Sequence, residues 1–228
     1  MACCVPTVHP ARMGRRVVVA IVLAFVACAA PAPAPGPAPA AGAGLVRFDR
    51  EPPAGATIWQ RPTWRVGDRT VLVRGERARG ALTVVAATPE HYEIDTGAGI
   101  TLRRDLDLGT LGEWDANGAP LHRLAPADVR YHWPLWLGKR WTCEFVDQAR
   151  GGTAIVMQAE YVVEDLDTVT VPAGTFQALR IARTLRLRDV GDVYARWQVG
   201  WYAPDVGVEV RQMHGDTLVE LVELVQPR

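Results

Sequence analysis

One charged side chain stands where the pattern asks for an apolar one. Leu179, Ile181, Leu185 and Leu187 alternate along a strand-like stretch, and Arg183 falls in the middle of their face. A lone buried guanidinium is costly unless another group answers its charge. Arg183 is therefore expected to line a cavity that takes an anionic ligand, or to pair with a core carboxylate. A bulge, or a place near the sheet rim, would turn it outward instead. A second group is aromatic: Tyr131, His132, Trp133 and Trp136 share a loop-like stretch. Such rings stack on sugars, cradle an acyl chain, or close one end of a curved sheet as a plug. Arg183, Tyr131, Trp133 and Trp136 are thus the candidate ligand-binding residues.

Little else offers chemistry. The chain contains no serine, which removes every serine-nucleophile mechanism. His91, His122, His132 and His214 do not stand at metal-ligand spacing with one another, with Cys or with a carboxylate. Cys143 follows His132 in the chain, but it shares a strand face with Trp141 and Phe145, which predicts a buried, inert thiol. Asp115-Ala116-Asn117-Gly118 carries a fragment of a calcium loop without its remaining ligands, and reads better as a hairpin turn. Asp165 and Asp167 read as turn or solvent-face residues. The expectation is no catalytic residue, no metal and no cofactor.

The elements that must position these groups are strands. Period-two alternation puts Trp141, Cys143 and Phe145 on one face, and Ile155, Met157, Ala159, Tyr161 and Val163 on another. In Val193 to Tyr202 it predicts Trp197, Val199 and Trp201 toward the core, with Arg196 and Gln198 away from it. Val171-Pro172-Ala173-Gly174 and Pro204-Asp205-Val206-Gly207 supply turns. The tail Thr217 to Val225 carries polar residues at every third position, as a helix would. Its Val and Leu content and its brevity favour a strand. About a dozen strands run from Val66 to Val225, and no segment before the tail reads as a helix. So many twisted strands must curl. The fold expected is all-β, an antiparallel meander forming a strongly curved sheet or half-barrel. An internal echo, Pro62-Thr63-Trp64 to Gly67 against Pro134-Leu135-Trp136 to Gly138 with Ala78-Arg79-Gly80 against Ala149-Arg150-Gly151, suggests two related β-halves, 58–125 and 131–226.

The start of the chain reads as an address. Arg12, Arg15 and Arg16 precede an apolar run, Val17 to Ala30, too short for the ~20 residues that span a bilayer. Met13 offers an alternative start. Residues 1–28 are read as a signal peptide in which Phe25-Val26-Ala27-Cys28 resembles a lipobox. Phe25 stands where Leu is usual, and plain cleavage at Ala27-Cys28-Ala29 is the other reading. Residues 29–43, almost purely Ala, Pro and Gly, suit an extended spacer of ~3.1 Å per residue, leaving 44–228 as one β domain. Without the leader's arginines, 22 basic side chains face 25 acidic ones, a poor balance for nucleic acid. Arg outnumbers Lys 24 to 1, which reflects base composition more than function. With Cys143 its one cysteine, the domain has no internal disulfide and must rely on its core.

Three stretches carry a family resemblance: Trp133 to Trp141; Val169 to Phe176 with Ala178 and Ile181; and Trp201 to Val208 with a closing Glu-Leu-Val at 220–222. Over about residues 131–226 the chain resembles the TapB-like (domain-of-unknown-function-3108-like) exported bacterial proteins. The resemblance implies a curved antiparallel β domain in the cell envelope and brings no catalytic residues. The expected protein is non-enzymatic and anchored to a membrane by lipid on Cys28, facing the periplasm at the outer membrane in a Gram-negative host. It binds a hydrophobic small molecule, an envelope polymer or an envelope protein. A purely structural module recruiting a partner through sheet edges is the alternative. A soluble secreted form, and an envelope enzyme using carboxylates the sequence does not single out, also stand.

Overall fold

The computed structural model describes residues 47–48, 51–75, 78–188 and 191–227; the leader, Cys28 and the Ala-Pro spacer lie outside them. All regular structure among the described residues is extended. After β1 (Arg47–Phe48) come β2 (Arg69–Arg74), β3 (Ala78–Ala87), β4 (His91–Asp95), β5 (Ile100–Asp105), β6 (Thr110–Asp115) and β7 (Pro120–Asp128). The second run is β8 (Arg140–Ala149), β9 (Ile155–Val171), β10 (Gly174–Leu187), β11 (Gly191–Ala203), β12 (Val208–His214) and β13 (Thr217–Val225).

Each strand from β2 to β13 pairs antiparallel with the next, and β13 returns to β2 through Leu221 opposite Leu72. Twelve strands therefore close into an up-and-down barrel, with β1 added to β8 at Trp141 and Thr142. The all-β meander is as expected, but the curvature goes all the way to closure rather than stopping at a half-barrel. A strand such as β13, Thr-Leu-Val-Glu-Leu-Val-Glu-Leu-Val, would leave a long unpaired edge, and pairing it to β2 removes that edge. Closure also weakens the picture of recruitment through sheet edges. Beyond Val163 the β9–β10 hairpin overruns the ring.

Turns form where their residues ask for them. Asp115 Oδ1 accepts from the amides of Asn117 (2.9 Å) and Ala119 (3.0 Å), so this loop fragment is a hairpin turn. Gly67 and Gly138 both take positive φ, 95° and 84°, a region that favours glycine. Gly67 donates to Val84 O while Val84 donates to Asp68 O. Gly138 and Val163 repeat the pattern with Lys139 O, at 2.8 and 2.9 Å in each clasp. Six strands follow each clasp. The Ala-Arg-Gly pair has no such equivalence: Gly80 lies within β3 opposite Leu72, whereas Gly151 sits in the β8–β9 turn.

The main core fills the barrel around Trp141, Phe145, Tyr161, Leu179 and Ile181. One face is reversed relative to the expectation. In β11, Gln198, Gly200 and Tyr202 point inward, and Trp197 stands 59% exposed. Gln198 goes inside because it accepts a hydrogen bond from Arg183 (2.8 Å). Trp201, on the outer face, is covered by the overrunning hairpin: its indole donates to Asp167 Oδ2 (2.9 Å), and Ala173 N reaches Leu221 O (3.1 Å). There Val169, Val171, Ala178, Val210 and Leu221 form a second apolar cluster.

Candidate functional site

The pairing register places the segments 59–67 and 129–139 at one end of the barrel, with the turns after β3, β5 and β11. The two segments bridge each other through Trp59 and Leu135, amide to carbonyl at 2.9 Å in both directions. Trp64 donates its indole N–H to Gly207 O (2.9 Å), and Trp133 donates to Asp107 O (2.9 Å). Tyr131 stacks on Trp133 (5.4 Å, 19°) and tilts against Tyr202 (5.1 Å). Lys139, buried, donates to the carbonyls of His132 and Pro134 (2.6 Å for the latter) and lies 4.2 Å from the Trp136 ring centre. The aromatic cluster thus closes this end as a plug. Of its members singled out from the sequence, Tyr131 faces a cavity, while Trp133 and the buried Trp136 do not line it.

Behind the plug is a polar network. Asp128, buried at the end of β7, accepts from Tyr161 (2.5 Å) and Arg183 (2.6 Å), and Cys143 points at it from 3.6 Å. Arg183 also donates to the Tyr161 hydroxyl (2.8 Å) and to Gln198. Every nitrogen of this guanidinium therefore has a partner. Arg183 faces inward and pairs with a core carboxylate, one of the two inward outcomes its position allowed. Burial, with the Asp128 charge behind it, pushes the Cys143 thiol up to about 12, so its thiolate does not form at neutral pH.

A second carboxylate, Glu209, sits beside it. Arg130 donates to both of its oxygens (3.0 and 3.2 Å), Tyr131 to Oε1 (2.7 Å), and Gln212 to Oε2. Gly200 makes room: a Cβ there would stand 2.8 Å from Glu209 Oε1. Burial alone would raise the Glu209 carboxyl. The charges of Arg130 and then Arg104, with the Tyr131 hydrogen bond, outweigh it and hold the group below the ordinary carboxylate range.

Next to this network the barrel is hollow. A partly open cavity of about 70 Å³ is walled by Leu72, Leu82, Val84, Ile94, Leu102 and Leu224. Its polar end holds Tyr131, Tyr202, Glu209, Gln212 and Arg104. Arg104 was not singled out from the sequence, although Ile100, Leu102 and Arg104 repeat the signal that marked Arg183: an arginine continuing an apolar face. Arg104 lies 5.6 Å from the Trp64 ring centre. Burial, and then repulsion from Arg130, lower its pKa. Among the described residues, no group of three or more His, Cys, Asp and Glu is placed to hold a metal ion.

Residues 152–220 match the DUF3108-like family model, inside the span where the sequence resemblance lies. Three solved structures resemble the chain at low similarity. The hypothetical lipoprotein YmcC of Escherichia coli K12 is 11% identical, with 74% of this chain and 92% of that chain covered and a TM-score of 0.45. A candidate lipoprotein of Parabacteroides distasonis gives 11%, 73%, 99% and 0.41. An exported-protein candidate with a YmcC-like fold from Bacteroides fragilis gives 13%, 75%, 100% and 0.37. No curated protein matches the chain in sequence.

Proposed function

We propose that the chain is an exported cell-envelope protein, tethered by lipid on Cys28, whose barrel holds a hydrophobic ligand without chemically changing it. One observation carries the binding reading: a partly open cavity of about 70 Å³ inside the barrel, with leucine, isoleucine and valine side chains along one wall left in contact with open space. Leaving such walls uncovered forfeits dispersion contacts and hydrophobic burial, and a ligand restores both. The non-enzymatic reading draws support from the interior carboxylates. Asp128 and Glu209 are each committed to an arginine and a tyrosine, and neither is free to act as acid or base. The basic start, the apolar run and Cys28 support export and anchoring, and the Ala-Pro stretch suits a tether.

Binding of N-phenyl-1-naphthylamine, a neutral apolar fluorophore, tests the cavity. A blue-shifted signal saturating at one probe per chain is expected. A linear, unsaturable response would overturn the reading. The mass of the mature N-terminus, taken from protein extracted from its host, tests the anchor. A diacylated chain beginning at Cys28 is expected, and an unmodified chain beginning after Ala29 would remove the lipid.

A further inference from the structure

We infer that the cavity takes a single-chain amphiphile with an anionic head, carboxylate or phosphate, and that Arg104 receives that head; this rests on the cavity reading above. The first ground is a charge count. Three arginines, Arg104, Arg130 and Arg183, face the interior cluster, against two carboxylates, Asp128 and Glu209. Both carboxylates are spoken for. Asp128 takes Arg183, and Glu209 takes Arg130 with its remaining acceptor capacity filled by Tyr131 and Gln212. Among the described residues, no side-chain hydrogen bond or ion pair holds the Arg104 guanidinium; it lies over the Trp64 face and reaches Glu209 and Asp105 only through its field. A half-buried guanidinium in this state is poised for an anion, and its planar fork matches carboxylate and phosphate oxygens. Asp68, the other acid on the cavity wall, accepts the Arg65 amide (2.8 Å) in the loop before β2.

The second ground is independent. Tyr202, 1% exposed, lines the same cavity, and its hydroxyl is buried without a hydrogen-bond partner. An unmet buried hydroxyl is costly, and a donor left idle at the polar end fits an acceptor that arrives with the ligand. The third ground is the division of the walls. Leu102 lies next to Arg104 on the inner face of β5, with Ile94, Val84 and Leu82 beyond it across β4 and β3. A head at Arg104 directs its tail along this surface.

Displacement of N-phenyl-1-naphthylamine by laurate, dodecyl phosphate, dodecanol and dodecyltrimethylammonium tests the inference at constant chain length. Laurate or dodecyl phosphate is expected to bind at least about tenfold tighter than dodecanol, the scale of one charge-assisted hydrogen-bonded pair. Whichever of the two binds tighter identifies the head chemistry. Arg104→Met should erase the difference and leave dodecanol unchanged. Tyr202→Phe, which removes a group with no partner to lose, should weaken the preferred anion about three- to tenfold. Equal affinity for all four, or an anion preference that survives Arg104→Met, overturns the inference while the cavity reading stands. No displacement by any of them overturns the cavity reading as well.

Discussion

Arg183 and Arg104 stand five strands apart in the same ring, each continuing an apolar strand face into the barrel. Around Arg183 the interior is full. Trp141 and Tyr161 stack at 5.0 Å, Ala159 is completely buried between neighbouring large side chains, and Asp128 answers the charge. Around Arg104 the interior is partly open, Leu, Ile and Val side chains line one wall, and no carboxylate among the described residues forms an ion pair with it. A buried charge with its partner belongs to the architecture. The same charge without one, beside empty space, belongs to a ligand. The difference lies in the neighbours each arginine meets, since the two strand patterns look alike.

The largest expected effect separates the two arginines by stability. Asp128→Asn keeps the shape but leaves Arg183 buried without its counter-charge, and should cost about 3–5 kcal/mol. Arg104→Met removes a charge that makes no ion pair and supports Glu209 only at a distance, and should cost less than about 1 kcal/mol. Guanidinium denaturation of both variants beside the native protein is the measurement. Losses of similar size would mean that Arg104 is a structural residue, and the contrast would collapse.

Packing offers the second test, of intermediate size. Ala159→Leu adds volume where the interior is full and should cost about 1–3 kcal/mol. Leu82→Phe adds volume on the cavity wall and should change stability by less than about 1 kcal/mol, while weakening N-phenyl-1-naphthylamine binding. If Leu82→Phe proves the more costly, the hollow is not a hollow in solution.

How far the sequence could reach follows from the same contrast. Alternation and turn residues made the strands legible, down to Thr217–Val225, because a half-buried strand writes its inside and outside into successive positions. Closure was not legible, since pairing β13 with β2 is a contact between segments some 150 residues apart that no local pattern encodes. The face of β11 was misread for a related reason. Trp197 and Trp201 looked like core, but Gln198 is wanted inside by Arg183, and Trp201 is buried only by a hairpin from β9 and β10. Arg183 could be singled out as an anomaly, yet its partner Asp128 lies 55 residues away on another strand. Arg104 carried the same anomaly at the end of β5. Its neighbour Arg103 pairs with Glu93 on the outer face, so two adjacent arginines there meet opposite surroundings.

Cysteine reactivity gives the smallest effect and the finest comparison. Cys143 is the single cysteine of the barrel, and burial pushes its thiol up to about 12 from an ordinary 9.0. An unfolded chain releases this proton above about pH 9, while the folded one keeps it until about pH 12. The stabilising contribution of the buried thiol is therefore whole below pH 9 and is lost as pH rises through that window. The native protein should lose about 1 kcal/mol more than Cys143→Ala between pH 8 and 10. At pH 8 iodoacetamide should alkylate native Cys143 far more slowly than the denatured chain. In a Cys143→Ala background, Leu102→Cys places a thiol on the cavity wall instead, and there alkylation should proceed readily and slow when N-phenyl-1-naphthylamine is bound. Equal protection of the two positions would show that water and small reagents do not enter beside Arg104, and an anionic head could not arrive there either.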